Sequence, residues 1–189
     1  MLGLPAWERS LFLAFQGLHL PGLNQLMQLF SSTLIWLPVI GWLGWKAHRS
    51  LSRRNFQIAL LLLVLLVAVS DSTTSYFFKN LIQRLRPCKM PELKSLIGNF
   101  GQGCGGRWGF FSSHSANAVA IVQFMSGFVI TRKLERRLWW SFAVLVGVSR
   151  IYLGAHLPLD VLAGWAWGFM LASVWRWFAQ QCLTVPSAS

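Results

Sequence analysis

Lys79 and Arg86 stand seven residues apart, and Pro87 follows directly. Seven helical steps of about 100° return to the same face, about 10 Å further along the axis. On a helix running to Pro87 the two cations could therefore flank a phosphate or a diphosphate, and the proline would end the helix. A second group, Phe111, Ser112, Ser113 and His114, sits immediately before an apolar run. Serine in such a place also serves as the ordinary N-cap of a helix. The third group is Ser149 and Arg150, followed by His156, Pro158 and Asp160. Pro158 suits a first helical turn, and a carboxylate four residues after His156 can reach back to an imidazole nitrogen. That is the orienting partner a nucleophilic or basic histidine requires.

Two histidines, three cations, paired hydroxyls and an aspartate form a conspicuous set in a chain with only 5 Asp and Glu in total. The set suits phosphoryl transfer: cations stabilise the equatorial oxygens, one histidine attacks phosphorus and a second protonates the leaving oxygen. His114, His156 and Asp160 could instead ligate a metal, but the scarcity of acids and the three nearby cations weigh against it. No metal and no other cofactor is expected. Gly101, Gly103, Gly105 and Gly106 loosen the stretch between the first two groups, with no Gly-Lys-Ser/Thr and no strand to make a nucleotide-binding fingerprint.

These side chains must be held by apolar helices. The chain has 189 residues, 54% hydrophobic and 12% charged, where soluble domains carry roughly a quarter charged residues. No Lys, Arg, Asp or Glu occurs in 10–45, 55–70, 108–131, 138–149 or 161–175. A bilayer core takes about 20 apolar residues per helix. Disorder, a disulfide-stapled mini-protein and a soluble nucleotide-binding domain are thereby excluded. The expected fold is an all-α polytopic transmembrane bundle with five spans, at 26–45, 56–78, 115–131, 134–153 and 158–178. Upstream, Trp7, Leu11, Phe15 and Leu18 recur at helical spacing before Pro21 and Gly22, which predicts a helix lying in the interface, with a sixth span as the alternative. Residues 1–189 would form a single integral membrane domain with its catalytic signature in 79–160. Asp71, inside the second span, reads either as a functional acid or as a helix-packing contact.

The net charge of +12 lies in the gaps between apolar runs, which reads as loop charge rather than as a nucleic-acid surface. Five spans place nine basic residues on one side (Lys46, Arg49, Arg53, Arg54, Arg132, Lys133, Arg136, Arg137, Arg176) and eight on the other. Setting aside Lys79, Arg86 and Arg150 as ligand-binding leaves nine against five, so the basic loops at 46–54 and 132–137 should face the cytoplasm and the 79–113 connection the outside. Tryptophans near span ends, such as Trp36, Trp45, Trp139, Trp140, Trp175 and Trp177, read as interface anchors. Arg9 beside Glu8, with no small-residue cleavage site, predicts no removable signal peptide. In an oxidising outer compartment Cys88 and Cys104 could pair, whereas Cys182 should remain a free thiol.

The three groups together resemble the signature of the type-2 phosphatidic acid phosphatase superfamily: Lys-x6-Arg-Pro, then Pro-Ser-Gly-His, then Ser-Arg-x5-His-x3-Asp. Lys79, Arg86 and Pro87 match the first part, and Ser149, Arg150, His156 and Asp160 match the third. In the second, Ser112 and His114 match, while Phe111 replaces proline and Ser113 replaces glycine. The resemblance implies that His156 is a nucleophile forming a phosphohistidine, that Asp160 orients it and that His114 is the general acid. It implies further that Lys79, Arg86, Arg150 and Ser112 hold the phosphate, with the backbone N–H of Ser113 assisting less closely than glycine would allow. By the same resemblance the protein is a metal-independent membrane lipid phosphatase of a bacterial inner membrane, multi-pass, with its site facing the periplasm. Undecaprenyl diphosphate is the expected substrate, and lipid A, phosphatidylglycerophosphate, phosphatidic acid or a lipid phosphotransferase reaction are the alternatives. The bilayer and a lipid phosphate are its only expected partners, with no nucleic acid and no obligatory protein.

Overall fold

Prolines and serines set most of the helix starts in this chain. The computed structural model describes residues 4–18, 20–97 and 105–183, and among them the architecture is all-helical. Helix α1 is Ala6–Gln16, and α2, with Pro21 in its first turn, is Pro21–Ser31. A 3₁₀ turn, Thr33–Ile35, leads into α3, Trp36–Ser50. Helix α4, Arg53–Ser72, starts where the Ser52 side chain accepts from the Asn55 N–H. It runs on through a π-helical stretch, Thr73–Phe78, into α5, Lys79–Ile82. The short α6, Pro91–Lys94, precedes α7 (Ser113–Met125), α8 (Lys133–Tyr152) and α9 (Pro158–Cys182).

The expected span at 26–45 is not one straight helix. Ser32 is extended (φ −76°, ψ 144°) and its hydroxyl caps the next turn, so Pro21–Ser31 and Thr33–Ser50 meet at a 67° bend. The second span is continuous, though π-helical over Thr73–Phe78. Arg53–Ile82 is a 30-residue helix, long and apolar enough to cross a membrane, and the bent pair meets that test only when taken together. Helix α7 is shorter than the expected 115–131, because after 13 residues the chain turns at Ser126, whose hydroxyl donates back to the Val122 carbonyl. At 11 residues, α1 is about 16 Å long and too short to cross a hydrocarbon core alone. It buries Glu8, Phe12 and Gln16 and turns Trp7 and Leu11 outward.

Helix α7 is the central element, packed against α9, α8 and α4. Its close approach to α9 is set by glycines: a Cβ on Gly168 would lie 2.2 Å from the Ala116 carbonyl oxygen, and one on Gly164 2.6 Å from that of Ser112. Gly164, Gly168 and Ala172 form a small-residue stripe at four-residue spacing, the pattern by which helices in lipid bring their backbones together. At the opposite end of the bundle from the three chemical groups, Lys46 and Glu135 form an ion pair that ties the end of α3 to the start of α8. Cys88 is disulfide-bonded and Cys182 is an exposed free thiol. Cys104, the pairing partner expected from sequence, lies outside the described residues.

Candidate active site

The two-turn helix expected between Lys79 and Arg86 does not form. Gln83 adopts a left-handed conformation (φ 50°) and ends α5 at Ile82. The residue before Pro87 is then extended, as proline requires of its predecessor, and Arg86 has φ −70°, ψ 150°. Residues 84–86 run instead as a strand-like segment beside 107–109. Leu85 bridges Trp108, the Arg86 N–H donates to the Arg107 carbonyl at 3.2 Å, and the Gly109 N–H donates to that of Arg84 at 2.8 Å. Lys79 and Arg86 nevertheless converge on one cavity.

That cavity, of about 850 Å³, joins two unlike regions. Lys79, Arg86, Ser113, His114, Arg150 and His156 surround one end. The rest is an apolar trough between α3 and α4, walled by side chains such as Leu43, Phe56, Leu63 and Val67. From Phe56 to Ser72 the trough follows α4 for about 24 Å at 1.5 Å per residue, and it continues past the π-helical stretch to Lys79. Asp71 lines it below the cations, with Oδ1 accepting from Asn117 Nδ2 at 3.3 Å. The helix-packing reading of Asp71 is seen in this interhelical contact, and the same side chain also faces the cavity.

His156 and Asp160 belong to the corner between α8 and α9. Asp160 occupies the first turn of α9, where Oδ2 accepts from the Leu157 N–H at 2.9 Å, and the same oxygen lies 3.5 Å from His156 Nδ1. On the other side of the ring, Nε2 is 3.3 Å from Arg86 Nη1. A guanidinium can only donate, so Nε2 is the unprotonated nitrogen and Nδ1 carries the proton toward Asp160. Burial pushes the His156 pKa down to about 4, with Asp160 opposing the shift and Arg86 adding to it. Its resting form at neutral pH is therefore an uncharged imidazole with a lone pair on Nε2.

Arg86 is held by the carbonyls of Trp108 (3.2 Å) and Ala155 (3.3 Å). Arg150 donates to Ser31 at the end of α2, and its buried Nε has no hydrogen-bond partner among the described residues. Lys79 donates to the Ser113 hydroxyl at 2.9 Å, which also accepts from Thr74 at 2.9 Å. A serine where the resembling family has glycine thus docks the lysine. Ser112 is fully buried and caps α7, its hydroxyl accepting from Ser115, so it stands behind the cavity wall rather than on it. Among the described residues no three His, Cys, Asp or Glu side chains come together as a metal site would need.

The family model described as PAP2 superfamily matches residues 58–183, the segment that carries Lys79, Arg86, His114, Arg150, His156 and Asp160. The chain belongs to the PAP2 superfamily. Among PAP2 proteins it is 31% identical to a lipid A 4'-phosphatase of Porphyromonas gingivalis, over 96% of this chain and 80% of that one. A lipid A 4'-phosphatase of Bacteroides thetaiotaomicron is 29% identical over 83% and 70%. The fold is similar to the crystal structure of a transmembrane PAP2-type phosphatidylglycerolphosphate phosphatase from Bacillus subtilis, with TM-score 0.68 and 22% identity over 95% of this chain and 90% of that one. It is also similar to that of Aquifex aeolicus LpxE, with TM-score 0.62 and 20% identity over 90% and 95%.

Sequence reasoning missed two residues of this PAP2 site, the buried Glu8 and the half-buried Arg84. Arg84 donates to Asp160 Oδ1 at 2.8 Å and also pairs with Glu8. A signal for Glu8 was available, since it is the only acid before Asp71. An acid on the buried stripe of a helix needs a partner.

Proposed function

We propose that this membrane phosphatase of the PAP2 superfamily hydrolyses a phosphate monoester of a glycolipid of the lipid A type through a phosphohistidine. The observation that carries the reading is the single cavity in which an apolar trough ends among Lys79, Arg86, Arg150, His114 and His156. Such a shape and charge fit an amphiphile with an anionic head. His156 Nε2 attacks phosphorus as the P–O bond to the lipid breaks, and His114, protonated once the bound phosphate dianion offsets the neighbouring cations, gives that proton to the departing oxygen. Water then attacks the phosphohistidine, His114 takes a proton from that water, the P–N bond breaks and orthophosphate leaves. Lys79, Arg86 and Arg150 balance the charge on the transferring group.

Three points favour a phosphorylated sugar lipid over undecaprenyl diphosphate. Two relatives that align over most of the chain are named lipid A 4'-phosphatases. The two-turn spacing of Lys79 and Arg86, which suggested a diphosphate, is absent. Asp71 places a carboxylate in the trough, where a sugar hydroxyl or acylamide N–H can donate to it, whereas a prenyl chain offers no donor. The ion pair of Lys46 with Glu135 sets the basic loops at 46–54 and 132–137 at the end away from the site. By the positive-inside rule this orients the site toward the periplasm of an inner membrane.

The test is phosphate release by purified protein in detergent from lipid A, phosphatidylglycerophosphate, phosphatidic acid and undecaprenyl diphosphate. Lipid A is expected to be the best substrate. A clear preference for undecaprenyl diphosphate would replace this substrate with the one the sequence suggested, and phosphate moved only to an acceptor lipid would make the protein a transferase. A second expectation concerns pH. With His156 at about 4, nucleophilic imidazole is lost only as pH falls through that value. Once the substrate's own phosphate ionisation is divided out, the acid limb of kcat/KM should lie below the ordinary histidine value of about 6.5. A limb at or above 6.5 contradicts the buried-imidazole account.

A further inference from the structure

The N-terminal helix reaches the catalytic corner with a charge. Glu8 is 0% exposed although it is one of only 5 acids in the chain. One of its carboxylate oxygens accepts from the Leu159 N–H, in the first turn of α9, at 2.9 Å, and the other pairs with Arg84. Arg84 spends its second terminal nitrogen on Asp160 Oδ1 at 2.8 Å, leaving Oδ2 for His156 and Leu157. Its guanidinium also lies over the Phe110 ring, 5.9 Å from the centroid. Gly109 lets this segment close over the aspartate, since a Cβ there would be 2.9 Å from Asp160 Oδ2. Carboxylate, guanidinium, carboxylate and imidazole therefore form one row, buried at Glu8, Asp160 and His156 and half-buried at Arg84, running from α1 through the 84–86 segment to the first turn of α9.

Neither Arg84 nor Glu8 lines the cavity, so neither is placed to touch a phosphate. We propose that Arg84 and Glu8 are positioning residues: Arg84 fixes the rotation of the Asp160 carboxylate so that Oδ2 faces His156 Nδ1, and Glu8 holds Arg84 in that place. Asp160 alone cannot do this, because a carboxylate with one bonded oxygen can swing about χ2, a broad torsion. The arginine fork, by contrast, has a fixed geometry. Glu8 also keeps the row at a net charge of −1, since Arg84 between two carboxylates cannot cancel both. The carboxylate behind His156 therefore still favours the positive charge that the imidazole ring acquires when Nε2 bonds to phosphorus.

This inference rests on the phosphohistidine reading of His156, and kinetics on a lipid phosphate separate the two. Arg84→Met should lower kcat roughly 10–100-fold, the range typical of outer partners of a functional group, with KM within about twofold. Glu8→Gln should lower kcat by about tenfold. The double variant should be no slower than Arg84→Met alone, because Glu8 acts through Arg84. Arg84→Lys, which keeps the charge without the fork, should fall between wild type and Arg84→Met, and it stands in should Arg84→Met fail to fold. A rise in KM in place of the fall in kcat would make Arg84 a substrate contact. An undiminished effect of Glu8→Gln in the Arg84→Met background would make Glu8 a mere cap of α9. Either result overturns the proposal. His156→Ala serves as the control: if it stays active, the phosphohistidine reading itself fails, whereas a dead His156→Ala beside unaffected Arg84 and Glu8 variants refutes only the positioning row.

Discussion

His156→Ala is expected to lose at least roughly a thousandfold in kcat, the scale seen when a nucleophile is removed and only charge stabilisation remains. The ring is 1% exposed, so the substitution also opens a small cavity, at about 1–3 kcal/mol of stability. Arg86 nonetheless keeps its bonds to the Ala155 and Trp108 carbonyls, so the cation cluster should persist and the variant should still bind a phosphate analogue. Turnover in detergent, together with binding of vanadate or orthophosphate, checks both halves. More than a few per cent of wild-type kcat would remove His156 from the nucleophile role. His114→Ala should be milder, and mildest for substrates with good leaving groups, because the proton it supplies matters least there.

The second large effect is expected far from any phosphate. Gly168→Ala adds a single methyl, but that methyl would sit 2.2 Å from the backbone oxygen of Ala116, an atom no rotamer change can move. Helices α7 and α9 must then separate, at a cost of about 1–3 kcal/mol or more. Since α7 carries His114 and α9 carries Asp160, activity should fall together with the thermal unfolding midpoint. Gly41→Ala is the matched control, because a Cβ there meets nothing within 4 Å. If Gly168→Ala unfolds and turns over like Gly41→Ala, the close α7–α9 contact does not hold the site together.

The sequence made the third group of residues most legible, and local geometry explains why. His156, Pro158 and Asp160 lie within one turn, so the rule that places an acid at a helix start also places it beside the imidazole. The first group was misread for the opposite reason. Its helix ends at Gln83, a residue without the usual glycine or asparagine signature of a left-handed position, so periodicity continued on paper where the chain turns. The bend at Ser32 went unseen because an apolar run carries the same hydropathy whether straight or broken. Gly164, Gly168 and Ala172 could have been read as a packing stripe from spacing alone. The pairing of Glu8 with Arg84 could not, since nothing local links residues so distant in sequence.

That distance has a consequence for how the protein is made. The bond from the Leu159 N–H to Glu8 closes a separation of 151 residues. At about 5–20 residues per second of synthesis, Glu8 waits roughly 8–30 s before its partner on α9 exists. The acid on α1 and the arginine at position 84 are made long before α9, whose first turn brings Asp160 to them. Asp160 joins the hydrolytic centre only once α9 is made, so a chain truncated before α9 keeps Lys79, Arg86, Arg150, His114 and His156 but lacks the carboxylate that orients the nucleophile.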